Sequence, residues 1–258
     1  MIIALDESQR KLLQPFFINM ENTFIHTYLQ GHMGRGWTDS LIRPSLGLIQ
    51  IGDFCFINGL VNRNMKHVLA NLHQITDRDT ILLIPGNENI RFLIQRSFPK
   101  WEPAKSFAFQ HNPEAFDIPY LQQVINCLPK EYELVLIDER WYLKALSEEW
   151  SRDLISNFDS PSDFLTRGIG LLITCSGEIL SGASSYSIYD GGIEIQVDTN
   201  PAYRMKGLGY IVCAAFIIAC RERNLYPSWD AANEISMQLA KKLGYRYSHS
   251  YNIYHIDR

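Results

Sequence analysis

The chain has 258 residues with 24 basic and 28 acidic side chains, a formal net charge of −4, and a hydrophobic content of 46%. This hydrophobic content can build the core of one large domain or of two small ones. The small negative charge offers no field that would attract nucleic acid or an anionic membrane, so we expect neither as a partner.

Targeting and metal signals are weak throughout the sequence. The opening residues have no basic segment followed by an apolar stretch, which predicts no secretory signal and favours the cytoplasm. The longest apolar run, 210–220, is far shorter than the roughly 20 residues that cross a bilayer. Five cysteines without a C-x-x-C pair, and histidines without ligand spacing, predict no disulfide framework and no metal site.

The first part of the chain has an irregular pattern, which we interpret as an N-terminal α/β domain over residues 1–125. Its periodicity predicts helices at 7–30 and 64–72 and strands at 46–57 and 80–84. The glycine-rich stretch from Gly31 to Trp37 favours a loop. Prolines recur towards the end of this part, which places a domain boundary between Asn112 and Lys130.

Residues 130–258 have the element order of a second α/β domain. Strands outnumber helices and several are joined by short turns, so we expect a mixed, mostly antiparallel sheet with helices on both faces. The predicted elements are strand 134–137, helix 141–157, a short helix from 160, strands 170–175, 179–188 and 193–198, helix 210–220, strand 226–230, a helix from 233 and strand 245–255.

The turn between strand 193–198 and the apolar helix reads Arg204-Met205-Lys206-Gly207-Leu208-Gly209. The first backbone N–H groups of a helix have no intrahelical partner, and the helix dipole favours an anion beside them. Glycines let the backbone approach a phosphate closely, and two cations flank this turn. A Walker loop would require Lys-Ser/Thr after the last glycine, and a Rossmann fingerprint would require a third glycine near Val212. Neither pattern fits.

A second block runs from Asn233 to Tyr245. Asn233 is a good helix cap, and Gly244 is typical of a helix end. Ile235, Leu239 and Leu243 have the spacing of an apolar stripe. Together the two blocks resemble the Arg-x-x-Gly-x-Gly motif and the later Asn-to-Lys-x-Gly-Tyr motif of the GCN5-related N-acetyltransferase (GNAT) superfamily.

The resemblance implies the GNAT fold and acetyl-CoA as the acyl donor. It implies that the glycine turn holds the pyrophosphate, that backbone N–H groups at 197–199 face the thioester carbonyl, and that Asn233 contacts the pantetheine arm, although helix capping explains Asn233 equally well. The cofactor-binding residues so implied are Val197, Asp198, Thr199, Arg204, Met205, Lys206, Gly207, Leu208, Gly209, Asn233 and Ser236.

The chemistry of acetyl transfer requires a base for the acceptor amine, because an amine is mostly protonated at neutral pH. Glu194 is on the strand where the family often carries a catalytic glutamate; the alternative is a solvent-facing carboxylate. Asp198 has the same strand parity and is the reserve base. The family's leaving thiolate usually takes a proton from a tyrosine, but Ala240 occupies that position. Ser236, Tyr245 or Tyr247 could substitute.

Three functions remain open at this point. The first is an N-acetyltransferase for a small-molecule amine, as a monomer or homodimer. The second is a non-catalytic acyl-CoA-binding sensor, which Ala240 favours, and the third is an enzyme with another acyl donor. Residues 31–37 and 52–56 also resemble the bacterial subfamily that includes the zwittermicin A resistance acetyltransferases. The N-terminal domain could be a degenerate GNAT-like half that shapes the acceptor pocket.

Overall fold

A computed structural model describes residues 2–98 and 102–258. Their strands are β1 (Ile3–Ala4), β2 (Arg35–Thr38), β3 (Leu46–Ile51), β4 (Phe54–Gly59), β5 (Thr80–Pro85), β6 (Glu102–Phe109), β7 (Glu133–Leu136), β8 (Gly170–Cys175), β9 (Glu178–Tyr189), β10 (Gly192–Thr199), β11 (Tyr226–Ser228), β12 (Asp230–Ala231) and β13 (Tyr247–Asp257). Their α-helices are α1 (Gln14–Phe17), α2 (Thr23–Leu29), α3 (Arg63–Ala70), α4 (Leu72–Thr76), α5 (Glu88–Ser97), α6 (Ile118–Ile125), α7 (Glu139–Ser147), α8 (Pro161–Arg167), α9 (Leu208–Glu222) and α10 (Glu234–Lys242). Short 3₁₀ helices are Glu7–Leu13, Pro113–Ala115, Arg152–Leu154 and Pro201–Tyr203. None of the helices in these described residues is long and apolar enough to cross a membrane.

The backbone contacts divide the chain into two compact units. The first comprises Met1–Ser106 with Ser250–Arg258, and the second comprises Phe107–His249. The domain boundary expected between Asn112 and Lys130 lies inside the second unit, which begins at Phe107. The physical reasons are that α6 packs along α9 and that the last part of β13 pairs with β5.

The first unit is a sheet in the order β1-β2-β3-β4-β5-β13. Neighbouring strands are antiparallel except β4 and β5, which are parallel. Because β4 and β5 are parallel, the chain between them crosses over through α3 and α4. Apolar side chains of β3, β4, β5, α3 and α5 form one buried core.

The predicted glycine loop in this unit is partly a strand. Residues Arg35–Thr38 form β2, which pairs antiparallel with β3. Gly36 is needed there because the Tyr28 hydroxyl occupies the space that a side chain would fill. A glycine-rich pattern does not distinguish such a tightly packed strand from a loop.

The second unit is a five-stranded sheet in the order β11-β10-β9-β8-β7. The strands β7 to β10 are antiparallel neighbours, and β11 is parallel to β10. Helix α9 connects this parallel pair and packs on β8, β9 and β10 on one side and on α6 on the other. Since it is covered on both sides, α9 is apolar on most of its faces, as its sequence predicts.

The helix expected at 141–157 is shorter in the structure. Helix α7 ends at Ser147, and Glu148 is extended. The Trp150 indole nitrogen donates to the Glu148 carboxylate at 2.8 Å, and the Ser151 hydroxyl donates to the Ala145 carbonyl at 3.0 Å. The bond from Ser151 satisfies a backbone carbonyl that a further helical turn would have used, and the chain forms a short 3₁₀ helix, Arg152–Leu154, instead.

Candidate active site

Strands β10 and β11 separate after three paired positions. Their parallel register runs from Gly192 opposite Tyr226 to Glu194 opposite Ser228. Beyond that point β10 continues to Thr199, whereas the chain after Ser228 leaves the sheet and forms β12, which pairs with β6. In the described chain, residues 195–199 of β10 thus have a strand partner, β9, on one edge only.

A β-bulge lies beside this split. While β10 advances from Glu194 to Ile195, the partner strand β9 advances by two residues, from Ser187 to Ser185. The extra residue is Tyr186 on β9, so the alternation of side chains along β10 is uninterrupted. Bulges bend a strand and increase its twist, which here helps β10 diverge from β11.

The N-terminus of α9 lies at the end of this open strand. Most α-helices described here begin with an Asn, Asp or Ser side chain that accepts a hydrogen bond from the first turn, but α9 begins at Gly207 and has no side-chain cap. Gly207 has φ of +79°, and a Cβ added to it would meet nothing within 4 Å. The first turn of α9, with the N–H groups of Leu208 and Gly209, therefore begins without a side-chain cap beside an open turn, which is the property of an anion site.

Two cations accompany this turn. The Arg204 guanidinium donates to the Thr199 carbonyl at 3.2 Å, which ties the turn to the end of β10. The Lys206 ammonium lies 4.5 Å from the centre of the Tyr203 ring. Met205 has φ of +62°, and the residue is 97% exposed. The turn therefore combines two cations with an uncapped helix start.

The first turn of α9 also makes side-chain hydrogen bonds to α6 and α10. The Tyr210 hydroxyl lies 2.6 Å from the Tyr120 hydroxyl of α6 and donates to the Lys242 carbonyl at 3.4 Å. Burial raises the pKa of Tyr210 to about 12, so the phenol is neutral at physiological pH. These bonds fix α9 against α6 and α10.

The two candidate bases differ in environment. Glu194 is 3% exposed, which excludes the solvent-facing alternative, and its charge contributes to raising the pKa values of Tyr189, Tyr226 and Tyr245. Asp198 lies further along the open part of β10. Burial raises its pKa to about 6, although the hydrogen bond from Gln196 at 2.6 Å opposes this. A carboxylate with a pKa near neutrality suits general-base catalysis.

Helix α10 contributes Asn233 and Ser236. The Asn233 side chain accepts from the Ser236 backbone N–H at 2.9 Å, so it is the helix cap that the sequence indicates. The Ser236 hydroxyl accepts from the Trp229 indole nitrogen at 3.0 Å. Sequence reasoning missed Trp229, because an isolated tryptophan after a short strand is most often a core residue.

The predicted apolar stripe of α10 is only partly correct. Leu243 is buried, but Ile235 in the first turn is 80% exposed. Ala240, where the family's tyrosine is expected, is fully buried. The Ile235 side chain is not covered by neighbouring elements, and helical spacing alone does not reveal which positions of a helix are covered.

Tyr245 is a structural residue. Its hydroxyl is buried and donates to the Pro227 carbonyl at 2.6 Å, and burial raises its pKa well above the usual value of tyrosine. We expect Tyr245→Phe to lower the free energy of unfolding by about 1–3 kcal/mol, since the carbonyl loses its buried donor. Urea denaturation measures this loss, and binding of acetyl-CoA to the folded variant should change less than about twofold. A variant as stable as the wild type would contradict the assignment.

Comparisons with known proteins agree with this geometry. The sequence profile of the family described as GNAT acetyltransferase matches residues 14–254. The uncharacterized N-acetyltransferase YdfB of Bacillus subtilis (strain 168) is 31% identical over 156 residues, which are 57% of this chain and 55% of that protein. The match therefore spans about half the length of this curated relative.

Solved structures extend the likeness to the whole fold. A GCN5-related N-acetyltransferase-like protein from Streptococcus suis is 35% identical, with a TM-score of 0.87 over 96% of this chain and 98% of that one. A tandem GNAT protein from the clavulanic acid biosynthesis pathway is 11% identical, with a TM-score of 0.57 over 100% of this chain and 98% of that one. The second likeness concerns the fold alone. The fold predicted from the sequence is confirmed.

Proposed function

Because this chain belongs to the GNAT acetyltransferase family, we propose that it transfers an acetyl group from acetyl-CoA to the amine of a small molecule, by direct attack of the amine on the thioester. The observation that carries the proposal is the split between β10 and β11, with the uncapped start of α9 beside it. An open strand edge and an anion site at its end suit a long ligand that has an amide-rich arm and a pyrophosphate.

The cofactor residues follow from this arrangement. The N–H groups of Leu208 and Gly209 would hold the pyrophosphate, with Arg204 and Lys206 as counter-charges. The open edge of β10 at 197–199 would bind the arm and the thioester carbonyl through backbone groups. Acetyl-CoA supplies the activated acetyl group, and the protein supplies position, charge and proton transfer.

Asp198 is the base that the geometry favours. It lies on the open part of β10, and its pKa of about 6 leaves it mostly ionised at pH 7, so it is able to accept a proton from the amine. Glu194 is at the last paired position, buried beside three phenols, and would act through the hydrogen bonds around it. Ser236 would face the departing sulfur in place of the family's tyrosine.

A second function is an acyl-CoA-binding sensor without catalysis. The observation that favours it is the fully buried Ala240, which offers no proton to a leaving thiolate. Another acyl donor is compatible with the same site, since the thioester carbonyl and the pyrophosphate are common to all acyl-CoA molecules.

The strand arrangement of the first unit supports the proposal that it is a degenerate GNAT-like half. In both units an antiparallel meander ends in a strand that is parallel to the next one, with helix crossover between them. In the first unit, however, β4 and β5 stay paired from Phe54 to Ile57, and the Asn62 side chain caps α3. We therefore propose one cofactor site per chain, in the second unit.

Several finer points stay predictions. They are the contribution of the first unit to acceptor binding, membership of the subfamily with the zwittermicin A resistance acetyltransferases, the cytoplasmic location, and assembly as a monomer or homodimer.

Calorimetric titration tests the cofactor, with desulfo-CoA, ATP and NAD as comparisons. We expect acetyl-CoA and desulfo-CoA to bind with micromolar affinity and ATP and NAD not to bind. Desulfo-CoA should bind because it keeps all of the proposed contacts to the nucleotide and the pantetheine arm. An amine panel assayed by thiol release then separates an enzyme from a sensor, and competition by succinyl-CoA tests the donor. Absence of any CoA binding would contradict the proposed function.

A further inference from the structure

Trp229 lies where the chain leaves the five-stranded sheet. Ser228, the residue before it, is the last to pair with β10, opposite Glu194, and Asp230 after it begins β12. The indole ring is 5% exposed and packs edge-on against Tyr245, with 5.4 Å between ring centres. The side chain is therefore fixed beside the point at which β10 and β11 separate.

The indole nitrogen of Trp229 donates to the Ser236 hydroxyl at 3.0 Å. A hydroxyl oxygen that accepts one hydrogen bond still has its own proton to donate. Ser236 is half-buried in the first turn of α10 and is the one hydroxyl residue of that helix. Its proton is thus directed away from Trp229, towards a group outside this pair.

We propose that Trp229 is a positioning residue that orients the Ser236 hydroxyl towards the sulfur of the thioester. This inference rests on the proposed function. In the transfer, the amine nitrogen bonds to the carbonyl carbon, the carbon–sulfur bond breaks, and its electron pair goes to sulfur. The surplus proton of the amine passes to the carboxylate base. Ser236 donates a hydrogen bond to the departing thiolate and keeps its proton, because a serine hydroxyl is a far weaker acid than a thiol.

The hydrogen bond from Trp229 strengthens this donor. A hydroxyl that accepts a hydrogen bond becomes more polarised, and the two bonds reinforce one another. Two neighbouring positions are unsuited to this role: Ala240 has no polar group, and the Tyr245 hydroxyl already donates to the Pro227 carbonyl.

Free CoA tests the inference without an acceptor. The full-length chain is titrated with CoA and with desulfo-CoA at several values between about pH 7 and pH 9.5, the range in which a thiol ionises. If Ser236 donates to the thiolate, the affinity for CoA relative to desulfo-CoA should rise about threefold to tenfold across this range, which corresponds to the net free energy of one hydrogen bond. In Trp229→Phe and Ser236→Ala the rise should fall below about twofold.

Nearby charges do not imitate this result. The carboxylates of Glu194, Asp198, Asp230 and Glu234 and the phenol of Tyr245 belong to the strands and the helix around the pair, and each disfavours a thiolate when it is ionised. None of them changes in the variants, so their effect cancels in the comparison. Trp150→Phe is the matched control, since it removes an indole donor to Glu148 in the same unit and should keep the wild-type rise.

The outcomes separate the inference from the function on which it rests. If neither CoA nor desulfo-CoA binds, the proposed function is wrong. If both bind and Trp229→Phe keeps the wild-type rise, only the role of Trp229 is overturned. Should Trp229→Phe fail to fold, the indole N–H resonance of the wild-type chain decides: it should move with thiol ionisation when CoA is bound and stay fixed with desulfo-CoA. A resonance that is fixed with both ligands overturns the inference.

Discussion

Replacing Gly209 with glutamate is expected to weaken acetyl-CoA binding by at least about 100-fold, since two like charges about 4 Å apart near a protein surface repel by several kcal/mol. Gly209 is in the first turn of α9, where its N–H would face the pyrophosphate. A carboxylate there is favoured by the helix dipole, so the variant should be as stable as the wild type, or more stable by about 0.3–1 kcal/mol. Titration calorimetry measures the first effect and thermal unfolding the second.

Gly209→Ala is the matched control. An added Cβ would be 3.4 Å from the Thr199 hydroxyl, which is a tolerable contact, and alanine is a better helix former than glycine. Position 207 is less suitable for this test because its φ of +79° strains any other residue. A Gly209→Glu variant that is stable and binds acetyl-CoA like the wild type would contradict the pyrophosphate assignment.

Asp198→Asn is expected to lower turnover by about 10²–10⁴-fold, the typical contribution of a general base. In the wild type, kcat/KM should rise with pH through about 6, because Asp198 must lose its proton to act and its pKa is about 6. The variant should lose this acidic limb. A pH profile of kcat/KM for the best amine of the panel measures both effects.

The same substitution should stabilise the fold at neutral pH. The pKa of Asp198 rises from 3.8 to about 6 on folding. Ionisation of Asp198 therefore lowers the free energy of unfolding: the loss is absent below pH 3.8, grows between pH 3.8 and about pH 6, and is complete above that. Asparagine carries no such cost, and the gain at pH 7 should be at most about 3 kcal/mol. Thermal unfolding at pH 4 and pH 7.5, with a gain only at the higher pH, distinguishes this from a general packing effect.

Two further variants identify the base. Gln196→Ala removes the hydrogen bond that holds the pKa of Asp198 down, so the acidic limb should move to higher pH. Glu194→Gln should leave the position of that limb unchanged. If Glu194→Gln abolishes the limb and Asp198→Asn retains it, the buried glutamate is the base.

The sequence predicted the glycine turn before α9 and the cap of α10 because their signals are local. Gly207 has a positive φ and the Asn233 side chain caps α10. Both effects depend on residues only a few positions away, so the local sequence reveals them. The bulge at Tyr186 and the separation of β10 from β11 depend on how distant strands pair. No local pattern in the chain reports them.

Other features that the sequence does not reveal have the same origin. The exposure of Ile235 and the burial of Glu194 are set by what packs over them, and not by their spacing in the sequence. Strand β2 required knowledge that Tyr28 fills the space beside Gly36. The contact from Trp229 to Ser236 joins two elements whose relation only the folded chain defines.

Strand β13 has a consequence for biosynthesis. Its residues Tyr254 to Asp257 pair with Leu83 to Thr80, so the first unit closes its sheet with residues from the far end of the sequence. During translation, the edge of β5 that pairs with β13 remains without this partner until β13 has been synthesised. An exposed strand edge is a template for pairing with other chains. The edge of β5 is therefore open to such pairing until β13 has been synthesised.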